Sequence, residues 1–155
     1  MKSNKIFLGG TCNETRWRDE LIPFLKLQKL EYFNPVVNDW NKEAQEEERR
    51  QKKECGIHLY TVTPAMTGVF SIFEIAQSLY LYGPDGYKTW FCVLPYEKET
   101  IFKEWTTGQW KSLLAVIEEV EKPSRGFVYR PIFTIKDYNL TMCMGSLAFL
   151  IANRH

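Results

Sequence analysis

The chain has 155 residues, 45% hydrophobic and 25% charged, with a formal net charge of +1. This is the profile of one globular domain spanning residues 1–155, and so even a balance gives no electrostatic case for nucleic acid or an anionic membrane. Four cysteines (Cys12, Cys55, Cys92 and Cys143) show neither a CxxC pair nor a metal-ligand spacing, so they read as free thiols of a reducing compartment and no metal is expected.

The chain opens with MKSNKIFLGG, with no signal-peptide core, and runs directly into an apolar strand at 5–10 that ends in two glycines. ETRWRDELIPFLKLQ reads as a helix with Trp17, Leu21, Phe24 and Leu25 inward and Pro23 as a local flaw. EYFNPVV (31–37) is a second strand, whose Pro35 suggests a sheet edge or the strand's end. NKEAQEEERRQKKEC is a helix with almost no apolar face, read as solvated and laced with pairs such as Glu46–Arg50 and Glu48–Lys52. GIHLYTVT (56–63) is a third strand, with His58 as a satisfied core residue.

TGVFSIFEIAQSLY (67–80) is a third helix. Val69, Ile72, Phe73, Ala76, Leu79 and Tyr80 recur at helical spacing as its apolar face, and Glu74 points away from them. KTWFCVLP (88–95) is a fourth strand and GQWKSLLAVIEEVEK an amphipathic helix. GFVYRPIF (126–133) is a fifth strand. A last helix follows, with Thr134 and Asp137 at a capping-box spacing. The longest apolar run, 140–152, is too short to span a bilayer, so the protein is expected in the cytoplasm.

Strands alternate with helices and are continuous apolar runs, as expected when both sheet faces are covered. This predicts a three-layer α/β domain with a parallel sheet of about five strands. Right-handed crossovers make the flavodoxin-like (Rossmann-like) order 2-1-3-4-5 the default. Ligands then bind where the order reverses, at the carboxyl ends of the first and third strands. That point gathers Gly9, Gly10 and Thr11, the loop 63–68 with Thr67 and Gly68, Ser71 and Glu74 on the third helix, and Asp39-Trp40 after the second strand. Trp17, Trp40 and Phe70 supply aromatics. There is no GxGxxG, P-loop or GxSxG, so no nucleotide cofactor or serine nucleophile is indicated. Two carboxylates, Glu74 and Asp39, without a metal suit glycosidic-bond chemistry, in which one attacks the anomeric carbon while another group handles the leaving group's proton. Nearby π-faces suit a nucleobase.

KIFLGGT, WRDELIPFL, YFNPVVNDW and TPAMTGVFSIFEIAQS together resemble the nucleoside 2-deoxyribosyltransferase family, especially its shorter, divergent branch. The resemblance covers roughly residues 5–94. It implies a flavodoxin-like fold and transfer of 2-deoxyribose between nucleobases through a covalent glycosyl-glutamate. It implies Glu74 as nucleophile, Asp39 as a nucleobase or proton-handling contact, and Gly9-Gly10 as the turn lining the site. The family's loop often carries an Asp that holds the sugar's 5'-hydroxyl; here Thr67 or Ser71 stands in. The polar residue that a neighbouring subunit supplies in better-known members has no match.

Three functions compete. The first is transfer of the glycosyl group of a (deoxy)nucleoside or nucleotide to another base. The second is hydrolysis of the same intermediate, on nucleoside 5'-monophosphates or NAD-like substrates. The third is a non-catalytic domain that binds a nucleotide or a protein partner. A homodimer or higher homo-oligomer is expected from the apolar surplus at 140–152 and 105–110 and from the family's sharing of sites between subunits.

Overall fold

The computed structural model describes residues 2–12, 15–64, 66, 69–94, 96–97, 100–101, 107–122, 126–131 and 139–154. Thr67, Gly68, Trp105, Thr134 and Asp137 lie outside the described residues, as does the side chain of Trp110.

The chain order is β1 (Ile6–Gly10), α1 (Trp17–Leu27), β2 (Tyr32–Phe33), α2 (Lys42–Glu54), β3 (Ile57–Val62), α3 (Phe70–Gln77), β4 (Lys88–Val93), β5 (Tyr96–Glu97), β6 (Thr100–Ile101), α4 (Thr107–Glu121), β7 (Phe127–Tyr129) and α5 (Leu140–Asn153). After α3 the chain continues through a π-helical turn, Ser78–Tyr82, and a 3-10 turn, Gly83–Asp85. Five strands form one parallel sheet in the order β2-β1-β3-β4-β7, which is 2-1-3-4-5 counted along the chain within that sheet. The short antiparallel hairpin β5–β6 stands apart from it and has no counterpart in the sequence reading. β2 holds only two residues and forms an edge, as Pro35 leads one to expect.

Successive strand residues face opposite sides. Ile6, Leu8, Leu59, Trp90 and Cys92 meet Trp17, Leu21 and Leu25 of α1 and Cys143, Met144, Leu147 and Ile151 of α5. Phe7, Tyr60, Val62, Phe91 and Val93 meet Ile75, Leu79, Leu113, Ile117 and Val120 on the α3–α4 side. Each such fully buried large side chain contributes about 1.5–3 kcal/mol. Pro23 sits within α1 without ending it. Among the described residues no helix is long and apolar enough to cross a membrane.

Four local expectations are corrected. α3 has the right period but the wrong phase. Glu74, Ile75, Ser78 and Leu79 are buried, whereas Val69, Phe70, Phe73 and Tyr80 are exposed. Both sides of this helix are apolar, so polar anchoring rather than hydrophobicity decides which side faces the sheet. α2 is not wholly solvated, because Gln51 and Lys52 are buried. Glu48–Lys52 forms as expected at 3.0 Å, but Arg50 pairs with Glu47 and Glu54 rather than Glu46. α5 starts at Leu140 with Asn139 as N-cap, its Oδ1 accepting from Met142 N at 3.0 Å. Finally, most of the apolar surplus at 140–152 is core, leaving Met142 and Phe149 exposed.

Candidate active site

β1 ends in two glycines because nothing else fits there. A Cβ on Gly9 would lie 2.5 Å from the buried Tyr60 ring, and Gly10 has φ +113° with the Thr61 backbone against it. The chain then turns through Thr11, whose N–H donates to Thr61 O (2.8 Å) and whose Oγ1 accepts from Thr63 N (3.1 Å). The Thr11 carbonyl accepts from Trp17 Nε1 (3.0 Å) and Arg18 Nη1 (2.7 Å). Arg18 also donates to Leu8 O (3.0 Å) and Gly10 O (3.3 Å). Arg18 is buried, and its guanidinium donates to three backbone carbonyls of β1 and its turn. Burial lowers its pKa below the usual arginine value, with Cys12, Asp19 and Glu74 acting in the opposite sense.

Beside this turn lies a cavity of about 350 Å³ at the carboxyl end of β1, between the segment that follows β2 and helices α2 and α3. Phe7, Gly9, Gly10, Cys12 and Arg18 form one wall, Pro35, Val36, Val37 and Trp40 a second, and Glu48, Phe70 and Glu74 a third. A larger concavity of about 630 Å³ lies at the other end of the sheet, lined by Lys2, Ser3, Asn4, Gly56, Ile57, Asp85, Gly86 and Lys88. It sits at the amino ends of β3 and β4, away from the order reversal, and no buried carboxylate faces it. The smaller cavity is therefore the candidate site.

Glu74 is only 8% exposed and forms an ion pair with the Lys52 ammonium, which also holds Glu48 at 3.0 Å. Burial pushes the Glu74 carboxyl above the ordinary range, Lys52 pulls it back, and Glu48 adds to the rise. Burial also works against the Lys52 charge, but Glu74 and Glu48 outweigh it and keep the pKa above the usual lysine value. Glu74 is the fifth residue of α3, beyond the turn where a helix dipole acts strongly. Lys52 supplies the positive charge instead.

Behind the pair, His58 is fully buried. Its Nε2 lies 2.7 Å from Lys52 O and its Nδ1 2.8 Å from Ser78 Oγ. A carbonyl only accepts, so Nε2 carries the proton and Nδ1 accepts from Ser78. Burial lowers the His58 pKa to about 4, so the ring stays neutral. His58 is the satisfied core residue expected from the sequence, and it ties α2 to the turn after Glu74.

The structure thus brings Glu74, Gly9, Gly10 and Trp40 together on one cavity, with Phe70. Thr11 spends its polar groups on the loop and is buried behind the wall. Trp17 is core, not a stacking surface. Ser71 is half-buried on the first turn of α3 and is not part of the wall. Asp39 is exposed, off the wall, and accepts from Asn41 Nδ2 at 3.3 Å. The helix cap is Asn41, which accepts from Ala44 N at 2.8 Å. Sequence reasoning missed Lys52 and Glu48 as site residues. Their i,i+4 spacing was visible, but nothing in a charged stretch marks which members face inward.

The family model described as "Nucleoside 2-deoxyribosyltransferase like" matches residues 3–90. No curated protein and no solved structure gave a match. The matched stretch runs from before β1 into β4 and includes the glycine turn, Glu48, Lys52 and Glu74. The chain belongs to the nucleoside 2-deoxyribosyltransferase-like family.

Proposed function

We propose that the protein is an enzyme that cleaves or exchanges the N-glycosidic bond of a (deoxy)nucleoside or nucleotide, with Glu74 as nucleophile. One observation carries this reading: a buried carboxylate, held by a buried lysine, on the wall of a cavity built from a glycine turn and flanked by Trp40 and Phe70. The carboxylate attacks the anomeric carbon as the base departs and forms a glycosyl ester. A second base, or water, then attacks from the side the first base left, so configuration is retained. The backbone of the glycine turn lines the cavity, and the aromatic rings suit a nucleobase face.

The test is incubation with a 2-fluoro deoxynucleoside analogue, which slows the second step, followed by peptide mass spectrometry. An adduct on the peptide containing Glu74 supports the reading, and an adduct elsewhere overturns it. Chromatography of unmodified deoxynucleosides with and without a free base separates exchange from hydrolysis.

The working form is proposed to be a homo-oligomer in the cytoplasm. The support is the set of exposed apolar side chains Val69, Phe70, Phe73 and Leu81, of which Phe70 lies on the cavity wall. A monomer by light scattering at micromolar concentration would sink the oligomer.

A further inference from the structure

Chemistry at Glu74 alone is incomplete. A nucleobase leaves poorly as an anion, so a second group must deliver a proton to it and recover one afterwards. Asp39, the other carboxylate prominent in the sequence, is exposed and off the cavity wall. Glu48 is on that wall, with its side chain 19% exposed, and its Oε1 is 3.0 Å from the same Lys52 Nζ that holds Glu74. Two carboxylates that contact one ammonium are close enough to flank a single glycosidic bond, as a nucleophile and an acid–base group must. Glu48 reaches the cavity from α2 and Glu74 from α3, so a sugar lying between the helices meets both.

We infer that Glu48 is the acid–base partner of Glu74, and that Lys52 positions both carboxylates; this rests on the glycosyl-transfer reading above. In the first half, a Glu74 oxygen bonds to the anomeric carbon. Glu48, an anion in the resting ion pair with Lys52, takes up one proton from solvent as substrate binds. The carbon–nitrogen bond breaks with its electron pair going to the base, and that proton passes from the Glu48 carboxyl to the base. In the second half, the Glu48 carboxylate takes the proton of the incoming water or base N–H as it attacks the same carbon. The ester bond to Glu74 breaks and its electrons return to the carboxylate. Lys52 stays charged throughout. While Glu74 is esterified, Glu48 is the ammonium's anionic partner.

The test varies the leaving group. Two 2-fluoro sugars are compared, one bearing adenine, which needs a proton to depart, and one bearing p-nitrophenolate, which does not. Glu48→Gln should slow adenine release by about 10²–10⁴-fold yet leave the p-nitrophenolate burst within a few-fold of wild type. Glu74→Gln should abolish both. With Glu48→Ala, added azide should attack the adduct and release a glycosyl azide of retained configuration, because azide has no proton to give up. Equal slowing of both substrates by Glu48→Gln, or no slowing of adenine release, overturns the assignment to Glu48. So does a failure of azide to speed turnover of Glu48→Ala. A wild-type adduct that survives Glu74→Gln instead overturns the underlying reading.

Discussion

His58 donates from Nε2 to the carbonyl of Lys52, 2.7 Å away, so the residue that clamps Glu74 is itself clamped from behind. The other ring nitrogen accepts from Ser78, four residues beyond Glu74, and Ser78 Oγ lies 2.6 Å from Thr89 Oγ1. One neutral imidazole thus fixes the spacing of the two helices that bear the ion pair.

The same imidazole makes the fold sensitive to acid. Its pKa falls from an ordinary 6.5 to about 4 on folding, chiefly through burial. The unfolded chain then binds more protons, so stability rises with pH. The contribution is complete above about 6.5 and is lost as pH falls towards 4, at up to about 1.4 kcal/mol per pH unit. Glu74, raised by burial, contributes the opposite slope, which cancels when wild type is compared with a His58 variant. Urea unfolding between pH 4 and 7 should show the wild-type excess slope vanish in His58→Gln. Identical slopes would refute the buried neutral ring.

Lys52→Met should move the acid limb of kcat/KM to higher pH. A nucleophilic Glu74 must be ionised, burial already opposes that, and Lys52 is the main opposing charge, with a smaller one from Arg18. Lys52→Arg keeps the charge and should restore most of the wild-type profile. An unmoved limb in Lys52→Met would mean that the lysine only fills space.

Glu74→Gln should abolish transfer while the protein stays folded. Glu74→Ala should also lower stability, by about 1–3 kcal/mol, because it leaves a buried ammonium short of a partner. A solvated glutamate would cost only a few tenths. Melting temperatures of the two variants beside wild type decide between these.

Asp39→Asn should change turnover less than tenfold and leave the melting temperature unaltered. The side chain is exposed, and the cap of α2 belongs to Asn41. A larger loss of kcat/KM would return Asp39 to the chemistry, despite its place outside the cavity wall.

Sheet order, layer count and the meeting of Gly9, Gly10, Trp40 and Glu74 were legible because apolar runs and alternation report burial on both faces. Three things were not legible. The phase of α3 was ambiguous, since Phe70, Phe73 and Tyr80 outside match Ile75 and Leu79 inside in hydrophobicity. Lys52 and Glu48 were hidden among like residues, because a charged run shows its period but not which members a cavity desolvates. The role of Arg18 was hidden, because with Trp17 it donates to a carbonyl of a loop whose shape appears only in three dimensions.

Cys12 has a use that the other thiols lack. It is exposed on the cavity wall, whereas Cys55, Cys92 and Cys143 are buried, and burial pushes the Cys55 thiol up to about 11. A mild alkylating reagent at neutral pH should therefore mark one sulfur, at the mouth of the site. The extent of labelling becomes an occupancy meter: any compound that fills the cavity shields Cys12, and intact-mass spectra of a compound collection would rank candidate substrates before any reaction is known.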